Sequence, residues 1–191
     1  CLNGSRAAGT TGKCLVLITA DAERSMNTYL GISETLSVAE LDADAIAASE
    51  YVYIEGYLVT SPTGLAAAVR AREIAEAAGV KTALSFSDPG MVEFFREGMA
   101  SIVGSGVDLV FCNEAEALQW GETDSLPVAI EKLKRVARSF VITLGANGAI
   151  TYDGSEQASI PPHRVQAVDS NGAGDMFAGA FLYAISRGED F

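Results

Sequence analysis

Histidine occurs once in the 191-residue chain, at His163, and cysteine three times, at Cys1, Cys14 and Cys112. A single imidazole beside Pro161 and Pro162 gives a Ser-His-Asp triad or a histidine-ligated metal site almost nothing to draw on. His163 reads instead as part of a surface connection. The cysteines are odd in number, widely spaced and without a CxxC pair, so neither a disulfide framework nor a zinc cluster is expected, and a reducing cytoplasm suits them. Positive charge is also scarce. Lys and Arg total 13 against 25 Asp and Glu, a formal charge of −12, and such a surface repels nucleic acid and anionic lipid. No apolar run approaches the roughly 18 residues of a membrane-spanning helix, and no signal-peptide pattern opens the chain. Neither nucleic acid nor membrane is an expected partner.

Two familiar phosphate-binding signatures fail as well. GSRAAGT, from Gly4, has the glycine spacing of a P-loop but Thr10 where lysine is required, and Lys13 is followed by Cys14 rather than Ser or Thr. Gly104 and Gly106 begin a dinucleotide-like pattern, but Leu109 takes the third glycine position. The chain starts at Cys1 rather than Met and its last helical pattern stops abruptly at Phe191, so it reads as a piece of a longer protein.

What is present is 49% hydrophobic residues, ample for one core. The first 35 residues contain two β-rich runs, Cys14 to Thr19 and Met26 to Ile32, joined by the charged ADAER. From Leu41 a rhythm sets in: a short apolar run, a turn, then a longer amphipathic run. Strands are predicted at Tyr51 to Gly56, Lys81 to Ser87, Val107 to Cys112 and Phe140 to Gly145, nearly continuous in apolar residues as expected where both faces are covered. Helices fall between them. One carries Ser61 as cap, Pro62 in its first turn and Gly79 past its end; another starts at Asp88 and Pro89; others run Glu114 to Trp120 and Leu126 to Arg138. Trp120, Phe94 and Phe95 are expected to face the core or an adjoining element, and Asp42, Asp44, Glu73 and Glu76 to lie on solvated helix faces. GAITYDG and EQASIPP form an expected hairpin. The fold class is therefore α/β, a three-layer, doubly wound, mostly parallel sheet, with 12–35 as part of a small β lid and 36–191 as the α/β core.

In such sheets ligands bind beyond the carboxyl ends of the strands. Glu55, Asp88, Asn113 with Glu116, Thr143 with Gly145, and the stretch Asp169 to Asp175 all fall there. DSNGAGDMFAGAF, from Asp169 to Phe181, is the most telling. Gly172, Ala173 and Gly174 open a helix whose first N–H groups lack internal partners and sit at the positive end of the dipole, and small side chains let an anion approach the backbone. Asp175 would repel that anion, so its presence needs a second purpose, and taking a proton from an attacking hydroxyl supplies one. A tight strand-to-helix turn with an acidic cap would give the same residues.

The motif closely resembles the C-terminal signature of the PfkB, or ribokinase-like, family of carbohydrate and nucleoside kinases, with Ser170 where threonine is commonest. The resemblance implies a ribokinase-like fold, an ATP-dependent phosphotransferase acting on an alcohol, Asp175 as catalytic base and Gly172, Ala173 and Gly174 as an anion hole. CNEAEA carries the family's N-x-x-E element, which assigns Asn113 to the nucleotide phosphates and Glu116 to the Mg²⁺ environment; a capping box fits the same spacing. TLGANG (Thr143, Leu144, Gly145, Ala146, Asn147, Gly148) resembles the family's ATP loop. The early segment is similar to the lid of adenosine kinase-like members, with Arg24 near the transferred phosphate and Tyr57, Cys14 and Met26 around the acceptor. Asp169 is the candidate for a neighbouring monovalent cation such as K⁺. The implied acceptor is a hydroxymethyl group of a small sugar or nucleoside, adenosine first. A ribokinase- or fructokinase-type sugar kinase is the alternative, and a non-catalytic binding module of the same fold the rival. Lid strands in this family often form homodimer surfaces.

Overall fold

The computed structural model describes residues 8–20 and 24–190. The expected ADAER connection lies largely outside them, as does the side chain of Arg24. The described residues divide into two compact units, one made of Glu34–Pro162 and the other of Ala8–Ser33 with 163–190.

The first unit is built on a six-stranded sheet: β3 (Tyr51–Glu55), β4 (Lys81–Ser85), β5 (Val107–Asn113), β6 (Ala137–Thr143), β7 (Ala149–Tyr152) and β8 (Gln157–Ile160), side by side in that order. β3 to β6 pair in parallel, while β7 and β8 add antiparallel. Between the parallel strands run α2 (Pro62–Ala78), α3 (Pro89–Phe94), α4 (Arg96–Val103), α5 (Glu114–Gly121) and α6 (Leu126–Leu133), and the short α1 (Ala43–Ala47) precedes β3. Alternate strand residues Ile54, Leu84, Val110, Phe140 and Ile142 join Val92, Met99, Ile102 and Leu133 from the helices in one buried cluster. Phe86 and Trp120 pack with ring centroids 5.2 Å apart. The intervening positions Ala83, Leu109 and Val141 are buried too, which is why these strands read as unbroken apolar runs rather than alternating ones.

Helix punctuation works as the sequence implies. The Ser61 hydroxyl accepts the Gly64 N–H at 2.9 Å, Pro62 occupies the first turn, and Gly79 closes α2 in the left-handed region at φ 69°. Three expectations need correcting. The helix expected to reach Arg138 ends at Leu133, because the chain turns through Val136 N–H to Leu133 O and Ala137 enters the ladder opposite Val107; the Lys- and Arg-rich stretch has helix propensity, but pairing with β5 overrides it. Phe94 and Phe95 are 75% and 37% exposed, since α3 breaks at Phe95 (φ −121°, ψ 31°) and Val92 takes the inward position. Asp42 is a working cap, accepting from Ala45 N–H at 3.0 Å. Glu76 is exposed as expected, and its carboxylate also holds the buried Arg72 at 2.6 Å. The pattern also gave no sign of α1 or α4.

The second unit contains an antiparallel ribbon, β1 (Lys13–Ile18) with β2 (Arg24–Tyr29), and α7 (Ala173–Ser186). No helix among the described residues is long and apolar enough to cross a membrane.

Candidate active site

In the first unit the polar residues gather at the carboxyl ends of the parallel strands. Asn113 ends β5 opposite Thr143 of β6 and caps α5. Its side-chain oxygen accepts the Glu116 N–H at 2.8 Å, while its own N–H and side-chain amide donate to the two Glu116 carboxylate oxygens at 2.9 and 2.8 Å. The reciprocal bonds are a full capping box, and they hold a carboxylate that is only 4% exposed. Burial raises its pKa from 4.5 to about 7; the Asn113 N–H opposes the rise, and the charges of Asp88 and Glu55 add to it. Those two carboxylates are fixed nearby. Glu55 accepts from the Ser87 hydroxyl at 2.7 Å, and Asp88 caps α3 by accepting from Gly90 N–H at 2.7 Å. Ser87 adopts φ 68°, an unusual conformation for a residue with a Cβ, and this aims its hydroxyl at Glu55. Burial, with the Glu116 charge behind it, pushes the Cys112 thiol far up, so that side chain is an inert part of the wall.

The loop after β6 is a tight one. Leu144 N–H donates to Gly148 O at 2.8 Å and Asn147 N–H to Leu144 O at 3.0 Å, folding Ala146 and its neighbours into a single turn. Gly145 and Gly148 take φ 56° and 93°. A Cβ on Gly148 would run into the Ile160 carbonyl, whereas one on Gly145 would meet nothing within 4 Å. Tyr57 lies in the short turn after β3, 42% exposed.

In the second unit, Asp169 accepts the Asn171 N–H at 2.7 Å, and the chain enters α7 through Gly172 at φ 74°. Asp175 stands exposed in the first turn. The Ala173 N–H reaches Ser170 O at 3.2 Å, while the N–H groups of Gly172 and Gly174 carry no partner among the described residues. A Cβ on Gly174 would meet nothing within 4 Å, and one on Gly172 would approach only the Asp175 carboxylate, at 3.9 Å. The space over this backbone is therefore open to a ligand. Cys14 lies opposite Thr28 and Met26 opposite Val16, pairs that share one face of the ribbon; both side chains are exposed. The Arg24 backbone opens β2 opposite Ile18.

The residues singled out from the sequence thus fall into two sets. Asn113, Glu116, Tyr57 and the Thr143–Gly148 turn belong to one unit, and Cys14, Met26 and the Asp169–Asp175 stretch to the other. Reading the sequence missed Ser87, whose signal would have been a serine just before an Asp-Pro helix start. The Glu116 environment fits a divalent cation: two of its roughly four acceptor sites remain after Asn113 is served, and a nearby cation would relieve the cost of keeping a buried carboxylate ionised.

A mixed six-stranded sheet flanked by helices, with polar residues at the carboxyl ends of its parallel strands, is the ribokinase-like α/β arrangement. Residues 5–191 match the model of the pfkB family carbohydrate kinases, and the chain belongs to that family. It is 31% identical to the adenosine kinase of Schizophyllum commune over 94% of its own length and 58% of that protein's. Among solved structures, adenosine kinase from Sinorhizobium meliloti superposes with a TM-score of 0.89 at 36% identity, covering 94% of this chain and 56% of that one. A protein described as a probable sugar kinase from Rhizobium etli gives a TM-score of 0.89 at 34% identity, covering 94% and 55%. The chain thus spans little more than half the length of these relatives.

Proposed function

We propose that the protein containing this chain is an ATP-dependent phosphotransferase that moves the γ-phosphoryl group to a hydroxymethyl group of a nucleoside or small sugar, with adenosine the favoured acceptor. The observation that carries the proposal is the start of α7, where an exposed carboxylate follows two unpartnered N–H groups under open space. Family membership and the likeness to two adenosine kinases support it.

On this reading Asp175 accepts the proton of the attacking hydroxyl, while the amides of Gly172 and Gly174 meet the negative charge of the group in flight. Ala173 joins them by sharing its long bond to Ser170. Asn113 and Glu116 would hold Mg²⁺ through its waters, and the ion would neutralise phosphate oxygens. Thr143, Leu144, Gly145, Ala146, Asn147 and Gly148 form the wall for the nucleotide. Arg24 closes over the phosphates from β2, Cys14, Met26 and Tyr57 border the acceptor, and Asp169 belongs to a K⁺ site. Residues 12–35 act as a lid on the core 36–191, and the exposed Leu15 and Leu17 on the other face of the ribbon suit pairing with a second copy. Free thiols at Cys14 and Cys112 suit a cytoplasmic setting.

The test is transfer from ATP to adenosine, ribose and fructose by the protein and its Asp175→Asn variant. A positioned base is worth about 10² to 10⁴ in rate, so kcat should fall by at least about a hundredfold with ATP binding preserved. Undiminished turnover would remove Asp175 from the chemistry, and ATP binding without transfer to any acceptor would favour a non-catalytic module.

A further inference from the structure

The opposite end of the first unit carries a cleft that the proposed reaction does not use. It encloses about 610 Å³ at the amino ends of β4, β5 and β6, and four of the chain's 13 Lys and Arg residues line it: Lys81, Lys134, Arg135 and Arg138. In a chain of net charge −12 this is a local reversal of sign.

Three helices, α2, α4 and α6, end at its rim, at Gly79, Gly104 and Lys134. Each helix end contributes roughly half a negative charge, so cations are welcome there for that reason alone. Their number exceeds that need. The two carboxylates of the lining are already committed: Asp108 accepts from the Thr82 N–H and hydroxyl at 2.8 and 3.1 Å, and Glu76 is taken by Arg72 at 2.6 Å. Arg138 reaches Asp108 only at 3.6 Å and is 86% exposed, and the Arg135 side chain has no partner among the described residues. Lys81 rests over the Tyr51 ring at 5.2 Å, which holds its stem without neutralising it, while Lys134 lies over the Tyr152 ring at 5.0 Å and also pairs with Glu131 at 2.7 Å. The unpartnered Arg135 guanidinium, the exposed Arg138 guanidinium with its long contact to Asp108, and the Lys81 ammonium surround one polar hollow, and their donors match the forked geometry that phosphate oxygens accept.

We propose that this cleft binds a small phosphate-bearing anion, at a site on the opposite strand ends from Asn113 and Glu116. The proposal stands independently of the transfer reaction. Its test is a titration of the ¹⁵N-labelled chain with inorganic phosphate at neutral pH, with ionic strength held constant by NaCl. Saturable shifts of the Lys81, Gly106 and Arg135 amides are expected. The double variant Arg135→Gln, Arg138→Gln should raise Kd at least about tenfold, the loss expected for charge-assisted contacts. Arg135→Lys with Arg138→Lys keeps the charge but loses the fork and should bind between the parent and the double Gln variant, and the amide spectrum of each variant reports whether it is folded. Ribose 5-phosphate serves as the second probe: tighter binding than phosphate assigns the site to phosphomonoesters, and equal or weaker binding assigns it to the free ion. Shifts confined to residues 172–175, shifts that never saturate, or a double Gln variant that binds like the parent would each overturn the proposal.

Discussion

Replacing Glu116 with Gln should change how stability depends on pH more than it changes stability at any one pH. In the unfolded chain this carboxyl titrates near 4.5, and in the folded protein at about 7. Between those values the native state keeps a proton that the unfolded state has lost. The contribution to stability is therefore most favourable below about pH 4.5, declines as pH rises, and reaches its full cost above about pH 7. A difference of that size corresponds to about 3 kcal/mol. The Gln side chain removes the charge but turns one amide NH₂ toward an Asn113 donor, which costs roughly 1–2 kcal/mol. Glu116→Gln should accordingly be destabilised at pH 5, where the parent carboxyl is already neutral, and stabilised by roughly 1–2 kcal/mol at pH 8. Urea unfolding followed by circular dichroism at half-unit intervals from pH 5 to 8 measures both chains under conditions in which every other titrating group is common to them. A gap between the two curves that stays constant within about 0.5 kcal/mol over this range would refute the reasoning, for it would mean that the buried carboxyl ionises at its ordinary pH.

Two further outcomes follow from packing and backbone geometry. Phe86→Ala removes a fully buried ring that packs on Trp120 between sheet and helices, and should cost about 3–5 kcal/mol in urea unfolding; a loss below about 1 kcal/mol would show that the cluster closes over the gap. Gly148→Ala forces a Cβ into a residue at φ 93° and against the Ile160 carbonyl, for an expected loss of about 2–4 kcal/mol, and a thermal midpoint unchanged from the parent would rule out that geometry.

Much of the first unit was legible because its signals are local. Ser61, Pro62 and Gly79 bracket α2 through caps that depend on a few residues only, and the apolar runs at 51–56 and 107–112 differ from β3 and β5 by a residue. What failed depended on distant partners. Nothing within LPVAIEKLKRVAR says where helix must yield to strand, because the ladder to Val107 decides it. Likewise, nothing local says that the exposed Glu76 serves a buried Arg72. The amino-end cleft escaped notice for the same reason: Lys81 lies more than fifty residues before Lys134, Arg135 and Arg138, and only the parallel register brings their strand ends together.

At the end of β5, the capping box that the spacing of Asn113 and Glu116 allowed is present in full. The capping bonds that satisfy the first turn of α5 are the bonds that fix the Glu116 carboxylate in a single orientation, with both oxygens tethered and the group removed from water. A free glutamate would lose side-chain entropy of about 1.5–2 kcal/mol on being ordered by a ligand; here that ordering is complete in the folded chain. The remaining cost is electrostatic: burial strips the carboxylate of water, and Asp88 and Glu55 add their opposition to its charge. A cation beside Glu116 would relieve that opposition. The helix start therefore needs its cap for folding, and the same cap holds a hydrogen-bond acceptor in place at the carboxyl ends of the parallel strands.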